Sequence, residues 1–198
     1  ATVSATVSFY FDVGSGPSYL AHRRLPDIAA RAGAALVYRP VLAGGLFKAT
    51  GNAPPLEIDA KRTYIMEVDL PRMARHLGIS LSFHPAAPPR TLPLMRGAVV
   101  ADEDGRLEDY VAAVFRAIWA EARDMGDPAT VHEVLTNAGF DPADILCRVS
   151  EQPIKDGLIA RTDEALARGC FGVPTIFVDD EMFFGQDRLD LIAKKLAA

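Results

Sequence analysis

Three short stretches of the chain hold residue types suited to chemistry. The first, Ser15-Gly16-Pro17-Ser18, lies between a β-prone run and a helical one. A helix start carries unpaired N–H groups and about half a positive charge. It suits an anion, a thiolate included, and a hydroxyl there adds one more hydrogen bond. The plainer use of such a serine is as a helix cap. The spacing permits both uses at once, with Ser18 as the cap and Ser15 facing solvent. The second stretch, Gly172-Val173-Pro174-Thr175, runs straight into another β-prone segment. A proline entering a strand needs a turn or an edge. With a cis bond before Pro174, the Val173 backbone would be turned outward, free to pair with an extended peptide. A trans proline is the commoner state, since only about 5–6% of X–Pro bonds in folded proteins are cis. The third stretch, Phe184-Gly185-Gln186-Asp187-Arg188, opens the last helical run. Asp187 there either caps the helix or joins its N–H groups in binding an α-ammonium and an α-carboxylate together.

These stretches must be placed by the elements around them. The aromatic run 7–12 reads as a buried strand, and 19–32 as a helix with Leu20, Leu25, Ile28 and Ala29 near the 3.6 period and Gly33 as its stop. A second strand follows at 36–41. Strand, helix and strand in succession form a βαβ unit, so the two strands should be parallel with a right-handed crossover. Residues 43–55 are rich in Gly and Pro and read as a loop. The middle of the chain reads as helices over 61–77, 93–100, 107–122, 127–138, 141–150 and 154–168, with a proline-rich turn at 84–93. Asp127-Pro128 and Asp141-Pro142 are cap-plus-proline helix starts. Strand character returns at 175–178 and 182–184 around a hairpin turn, and a helix closes the chain at 187–196. Phe115, Ile118 and Trp119 have core spacing.

The order βαβ, helical block, ββα, with Ser-Gly-Pro-Ser at the first helix and Val-Pro-Thr before the hairpin, resembles a thioredoxin fold with a DsbA-like helical insertion. Redox members carry a cysteine pair where Ser15 and Ser18 stand. A hydroxyl cannot form a mixed disulfide, which excludes thiol–disulfide exchange at this turn. Phe9-Tyr10-Phe11-Asp12-Val13-Gly14-Ser15 with Ser18-Tyr19-Leu20-Ala21, then Gly51-Asn52-Ala53-Pro54-Pro55, Phe171-Gly172-Val173-Pro174-Thr175 and Phe184-Gly185-Gln186-Asp187-Arg188, resemble the 2-hydroxychromene-2-carboxylate isomerases. That group is related to the kappa-class glutathione transferases.

The resemblance implies an α/β thioredoxin fold and glutathione as cofactor. Residues 1–55 and 170–198 would form the thioredoxin-like domain, and 56–169 the helical insertion. Ser15 stands at the catalytic position that holds the glutathione sulfur, and Val173 where the backbone pairs with the cysteinyl residue. Phe184, Gly185, Gln186 and Asp187 stand at the γ-glutamyl end, and Asn52 and Lys61 near glutathione. Phe47, Lys48 and His84 fall on the substrate side. Gln186 departs from the Asn or Ser usual there, and Val13-Gly14 with Gly16-Pro17 depart from a bulkier Leu-Ser-Pro opening. The implied substrate is a small aromatic chromene carboxylate or α-keto acid, and the implied assembly a homodimer.

Composition narrows the alternatives. The 198 residues carry a net charge of −5, with 24% charged residues and Lys and Arg scattered along the chain. No basic face is expected for nucleic acid. No apolar run approaches the roughly 20 residues of a membrane helix, and no secretory leader pattern opens the sequence. Cys147 and Cys170 form no C-x-x-C, so neither a disulfide framework nor a cysteine metal site is expected, and the setting should be the reducing cytoplasm. His22, His76, His84 and His132 are dispersed, and Ser15 lacks a G-x-S-x-G context for hydrolase chemistry. Two other outcomes fit the same residues. One is a transferase that keeps the thioether product, and the other a thioredoxin-like binding module without catalysis.

Overall fold

The computed structural model describes residues 5–197. Strand β1 (Thr6–Phe11) leads through a tight turn into helix α1 (Gly16–Ala32), and β2 (Ala35–Pro40) follows. Gly33, at φ 64°, ends α1 in the left-handed region that glycine enters without penalty. β1 and β2 pair in parallel, with Thr6 opposite Ala35 and Phe11 opposite Pro40, as the βαβ reading requires. At the other end of the chain β3 (Thr175–Val178) and β4 (Glu181–Phe184) form the hairpin. β3 runs antiparallel to β1, with Tyr10 opposite Thr175, so the sheet order is β2-β1-β3-β4. This pairing brings the two ends of the chain together. The turn after β1 and the proline before β3 lie at the same end of the two central strands, because Tyr10 and Thr175 are partners.

Two sequence expectations are corrected. Residues 43–55 are not all loop: Ala43–Thr50 is helix α2, with Leu46 buried beneath it. Gly44 and Gly45 sit in its first turn, where their low helix propensity weighs little against an end capped from outside. The Asp12 carboxylate accepts from Ala43 N–H at 2.9 Å, and Thr162 Oγ1 accepts from Leu42 N–H at 3.1 Å. The run 61–77 is also not one regular helix. It comprises α3 (Asp59–Thr63), a π-helical turn over Tyr64–Asp69, and α4 (Leu70–Leu77). Such turns insert a residue into the helical ladder and rotate the side chains that follow.

The remaining helices are α5 (Leu92–Glu103), α6 (Leu107–Trp119), α7 (Pro128–Asn137), α8 (Pro142–Arg148), α9 (Gln152–Ala167) and α10 (Leu189–Leu196). Asp127 and Asp141 cap α7 and α8 as their sequences predict. Phe115 and Trp119 are fully buried and Ile118 nearly so. Phe115 links the helices to the sheet: its ring lies 5.8 Å from that of Phe11 and 5.1 Å from that of His22. Burial holds His22 well below the usual histidine range, at about 4, so it is a neutral core residue at pH 7. Among the described residues no helix is long and apolar enough to cross a membrane.

Candidate active site

The turn between β1 and α1 is held from several sides. Trp119 Nε1–H donates to the Val13 carbonyl at 2.8 Å, and Val13 N–H points at Met95 Sδ at 3.4 Å. Ser15 N–H donates to the Asp12 carbonyl at 3.0 Å. The glycines on either side of Ser15 are close-packed. A Cβ on Gly14 would lie 2.6 Å from Thr91 Cγ2, and one on Gly16 2.5 Å from Leu70 Cδ2. Thr91 and Leu70 thus fill the space a side chain would claim, which accounts for glycine at positions 14 and 16.

Ser15, not Ser18, caps α1. Its Oγ accepts from Ser18 N–H at 3.1 Å, and its extended backbone (φ −98°, ψ 111°) is that of a helix cap. Ser18 is buried and its Oγ finds no partner among the described residues. The cause is register: the helix begins at Gly16, with Pro17 in the first turn, three residues earlier than the apolar period indicates. A hydroxyl has one proton to give and two lone pairs. Ser15 uses one lone pair for the cap, and no described residue accepts its proton. Half-exposed, it lies on the wall of a cavity of about 620 Å³.

The cavity also takes in Phe47 and Val173, together with Leu42, Met66 and Leu70. The Val173–Pro174 bond is cis. Neither N–H nor C=O of Val173 is engaged by another backbone group among the described residues. Gly172 packs tightly beside it: a Cβ there would stand 3.1 Å from the Phe184 ring and 3.7 Å from the Phe47 ring. Phe184 in turn lies 4.5 Å from the Phe171 ring, and both are partly exposed. Asn52 Nδ2 donates to the Phe171 carbonyl at 3.4 Å and to Thr50 Oγ1 at 3.2 Å, tying the end of α2 to this segment. Asn52 and Phe184 therefore border the cis-proline segment without lining the cavity.

At the start of the last helix Gly185 adopts φ 101°. A Cβ there would meet the Asp187 carboxylate at 2.5 Å, so glycine is required on both counts. Asp187 is exposed and pairs with Arg188 at 2.8 Å. Gln186 is only 7% exposed, and its Oε1 has no partner among the described residues. A buried amide oxygen without a donor is costly, and Gln186 lies off the cavity wall. Lys48, at the end of α2, and Lys61, on α3, are exposed and off the cavity wall. His84 is likewise off the wall, with its Nδ1 accepting from Ala86 N–H at 3.2 Å. Among the described residues no histidine lines the cavity, and no group of His, Cys, Asp and Glu could hold a metal ion.

Three residues the motifs left without a role belong to this site. Asp12 is 2% exposed, and its carboxylate accepts from Gly14 N–H at 2.9 Å, Ala43 N–H at 2.9 Å and the Thr91 hydroxyl at 3.2 Å. Burial pushes its pKa up, opposed by these three donors. One signal was legible: an acid ending an aromatic, buried strand must find donors on the fold. Thr91 and Arg62 carry no such mark in the sequence. Arg62 donates to the Ala87 carbonyl at 3.0 Å from the cavity wall. Cys170 is buried, which raises its thiol to about 11 and leaves it unreactive at neutral pH.

The fold and the turn define the class. The chain belongs to the DSBA-like thioredoxin domain family, whose model matches residues 6–197. Within that class its similarity is to the 2-hydroxychromene-2-carboxylate isomerases. The enzyme of that name from Sphingobium xenophagum is 35% identical over 200 residues, covering 98% of this chain and 99% of the relative. A solved 2-hydroxychromene-2-carboxylate isomerase superposes with a TM-score of 0.86 at 30% identity, over 97% of this chain and 94% of the other. Glutathione S-transferase kappa 1 of Rattus norvegicus is 27% identical, covering 94% of this chain and 88% of the relative.

Proposed function

We propose that the protein is a glutathione-dependent isomerase of 2-hydroxychromene-2-carboxylate or a similar aromatic ring-fission product. One observation carries the reading: Ser15 caps α1 with its lone pair and keeps its proton for the cavity. The residues present fit glutathione. The Val173 backbone is free to pair with a peptide, and the buried Gln186 oxygen lacks a donor. Asp187 supplies a carboxylate for an α-ammonium. When bound, glutathione supplies a thiolate that adds reversibly to a conjugated carbon, lets the former double bond rotate, and is regenerated.

The chain's own contribution is electrostatic. The Ser15 hydroxyl and the N–H groups of α1 stabilise the charged form of a thiol, each pKa unit of lowering being about 1.4 kcal/mol. No carboxylate stands in the first turn of α1 to compete for that field. Leu42, Phe47, Met66 and Leu70 exclude water from the reacting region and strengthen the effect. Asn52 and Lys61 would meet the rest of the tripeptide, and Phe47, Lys48 and His84 the substrate. The proposed setting is a cytoplasmic homodimer.

The test is incubation with 2-hydroxychromene-2-carboxylate with and without glutathione. Turnover that needs glutathione yet leaves its concentration unchanged supports the isomerase. Stoichiometric loss of glutathione turns the reading to a kappa-type transferase, which shares the first step. No glutathione binding by wild-type protein sinks both readings and leaves a binding module.

A further inference from the structure

Building on the proposed function, we infer that Arg62 is the anchor for the substrate's carboxylate and sets the site's preference for anionic electrophiles. The ionisable groups on the cavity wall are Asp12, Glu57, Arg62 and Arg90. Asp12 is buried and committed to three donors, so it offers nothing to a ligand. Arg62 is half-buried and makes one hydrogen bond, to the Ala87 carbonyl. No carboxylate pairs with Arg62 or Arg90 among the described residues, although Glu57 shares the same wall. A guanidinium has five donors in a fixed plane, so the remaining edge of Arg62 is available to a carboxylate.

Its position follows from two contacts. Ala87 precedes Pro88, and Pro88 lies 3.6 Å from where a Cβ on Gly14 would be, one residue from Ser15. The tether to Ala87 therefore fixes Arg62 to the strap that covers the Ser15 turn. Apolar walls from Ile65, Met66 and Leu70 complete that side, which suits an aromatic ring with one charged end. A lysine cannot make the same two-sided contact, because it lacks the planar fork.

The test of Arg62 itself needs neither glutathione nor turnover. Calorimetric titration of trans-cinnamate and of its neutral counterpart cinnamamide into the full chain reads the preference directly. Wild type should bind the anion about 10- to 100-fold more tightly than the amide, a charge-assisted hydrogen bond's worth. Arg62→Met should abolish that ratio and Arg62→Lys should leave only part of it. Raised salt should weaken cinnamate and not cinnamamide in wild type, which tests the charge even if Arg62→Met fails to fold. A wild type that does not prefer the anion, or an Arg62→Met protein that keeps the preference, overturns the assignment. A parallel titration of wild type with glutathione separates the two readings. Absent heat there removes the cofactor and leaves the cinnamate result standing, while normal heat with no cinnamate preference removes Arg62 alone.

Discussion

Helices α1 and α10 both begin where a strand of the central sheet ends, yet the first turn of one is neutral and that of the other is acidic. α1 is capped by a neutral hydroxyl, has proline in its first turn and carries no acid there. α10 is preceded by a 3₁₀ turn over Gln186–Arg188, has no side-chain cap and holds Asp190 in its first turn, with Asp187 just before it. The α1 field is thus left for an anion from outside, while the α10 start already has its carboxylates, Asp187 paired with Arg188 and Asp190 with Arg24. A tripeptide with a thiolate in the middle and an ammonium at one end matches the pair in that orientation. Under the proposed function, the difference would give reaction to one helix start and retention of glutathione to the other.

The largest effect is expected at the anionic end. Ser15→Ala should lower kcat by about 10²- to 10³-fold, the usual loss for one preorganised donor to a developing or resident anion. The thiol of bound glutathione should rise in pKa, read from thiolate absorbance across pH. The variant also loses a helix cap, about 1 kcal/mol, so a thermal melt must accompany the kinetics. Wild-type thiolate absorbance in Ser15→Ala would erase the distinction between the two helix starts.

Next comes Asp12→Asn, which puts an NH₂ group opposite at least one of its donors. A loss of about 1–3 kcal/mol is expected in urea melts. Burial holds the folded-state pKa of Asp12 above its ordinary 3.8. An acid raised on folding favours the fold fully below its unfolded value, and that contribution is lost as pH rises through the folded value. The stability gap between wild type and Asp12→Asn should therefore be widest below the ordinary value of 3.8 and narrow as pH rises through the raised folded value. A gap that widens with pH would show the three donors outweighing burial.

At the other helix start, Asp187→Asn should weaken glutathione about tenfold, seen in KM for glutathione more than in kcat, as for one charged contact far from the reacting atoms. The smallest effect is expected for Asn52→Ala, a few-fold in the same KM, because its amide lies on the exposed rim of the cis-proline segment.

Much of this arrangement was readable before the structure. Aromatic and β-prone runs mark β1, β3 and β4, the turn between β3 and β4 marks their hairpin, and the Asp-Pro pairs mark the starts of α7 and α8, whereas the β1–β3 pairing is seen only in the fold. The failures have physical causes. α2 was hidden because its first turn holds Gly44 and Gly45 and its cap comes from Asp12 and Thr162, which are far along the chain. The helix start at Gly16 was misjudged because the apolar period begins only after the buried Ser18. The family resemblance put Ser15, Phe47 and Val173 in one site, and all three line one cavity, while Lys48, Lys61 and His84 lie off its wall. Arg62 reads in the sequence as a salt-bridge former, and its place on the cavity wall rests on a hydrogen bond to a carbonyl 25 positions away.

The Asp12 carboxylate fastens three stretches distant in the chain: the turn before α1, the first residue of α2 and Thr91 ahead of α5. A change at position 12 would unseat three walls at once, so directed evolution of new specificity should leave that aspartate alone.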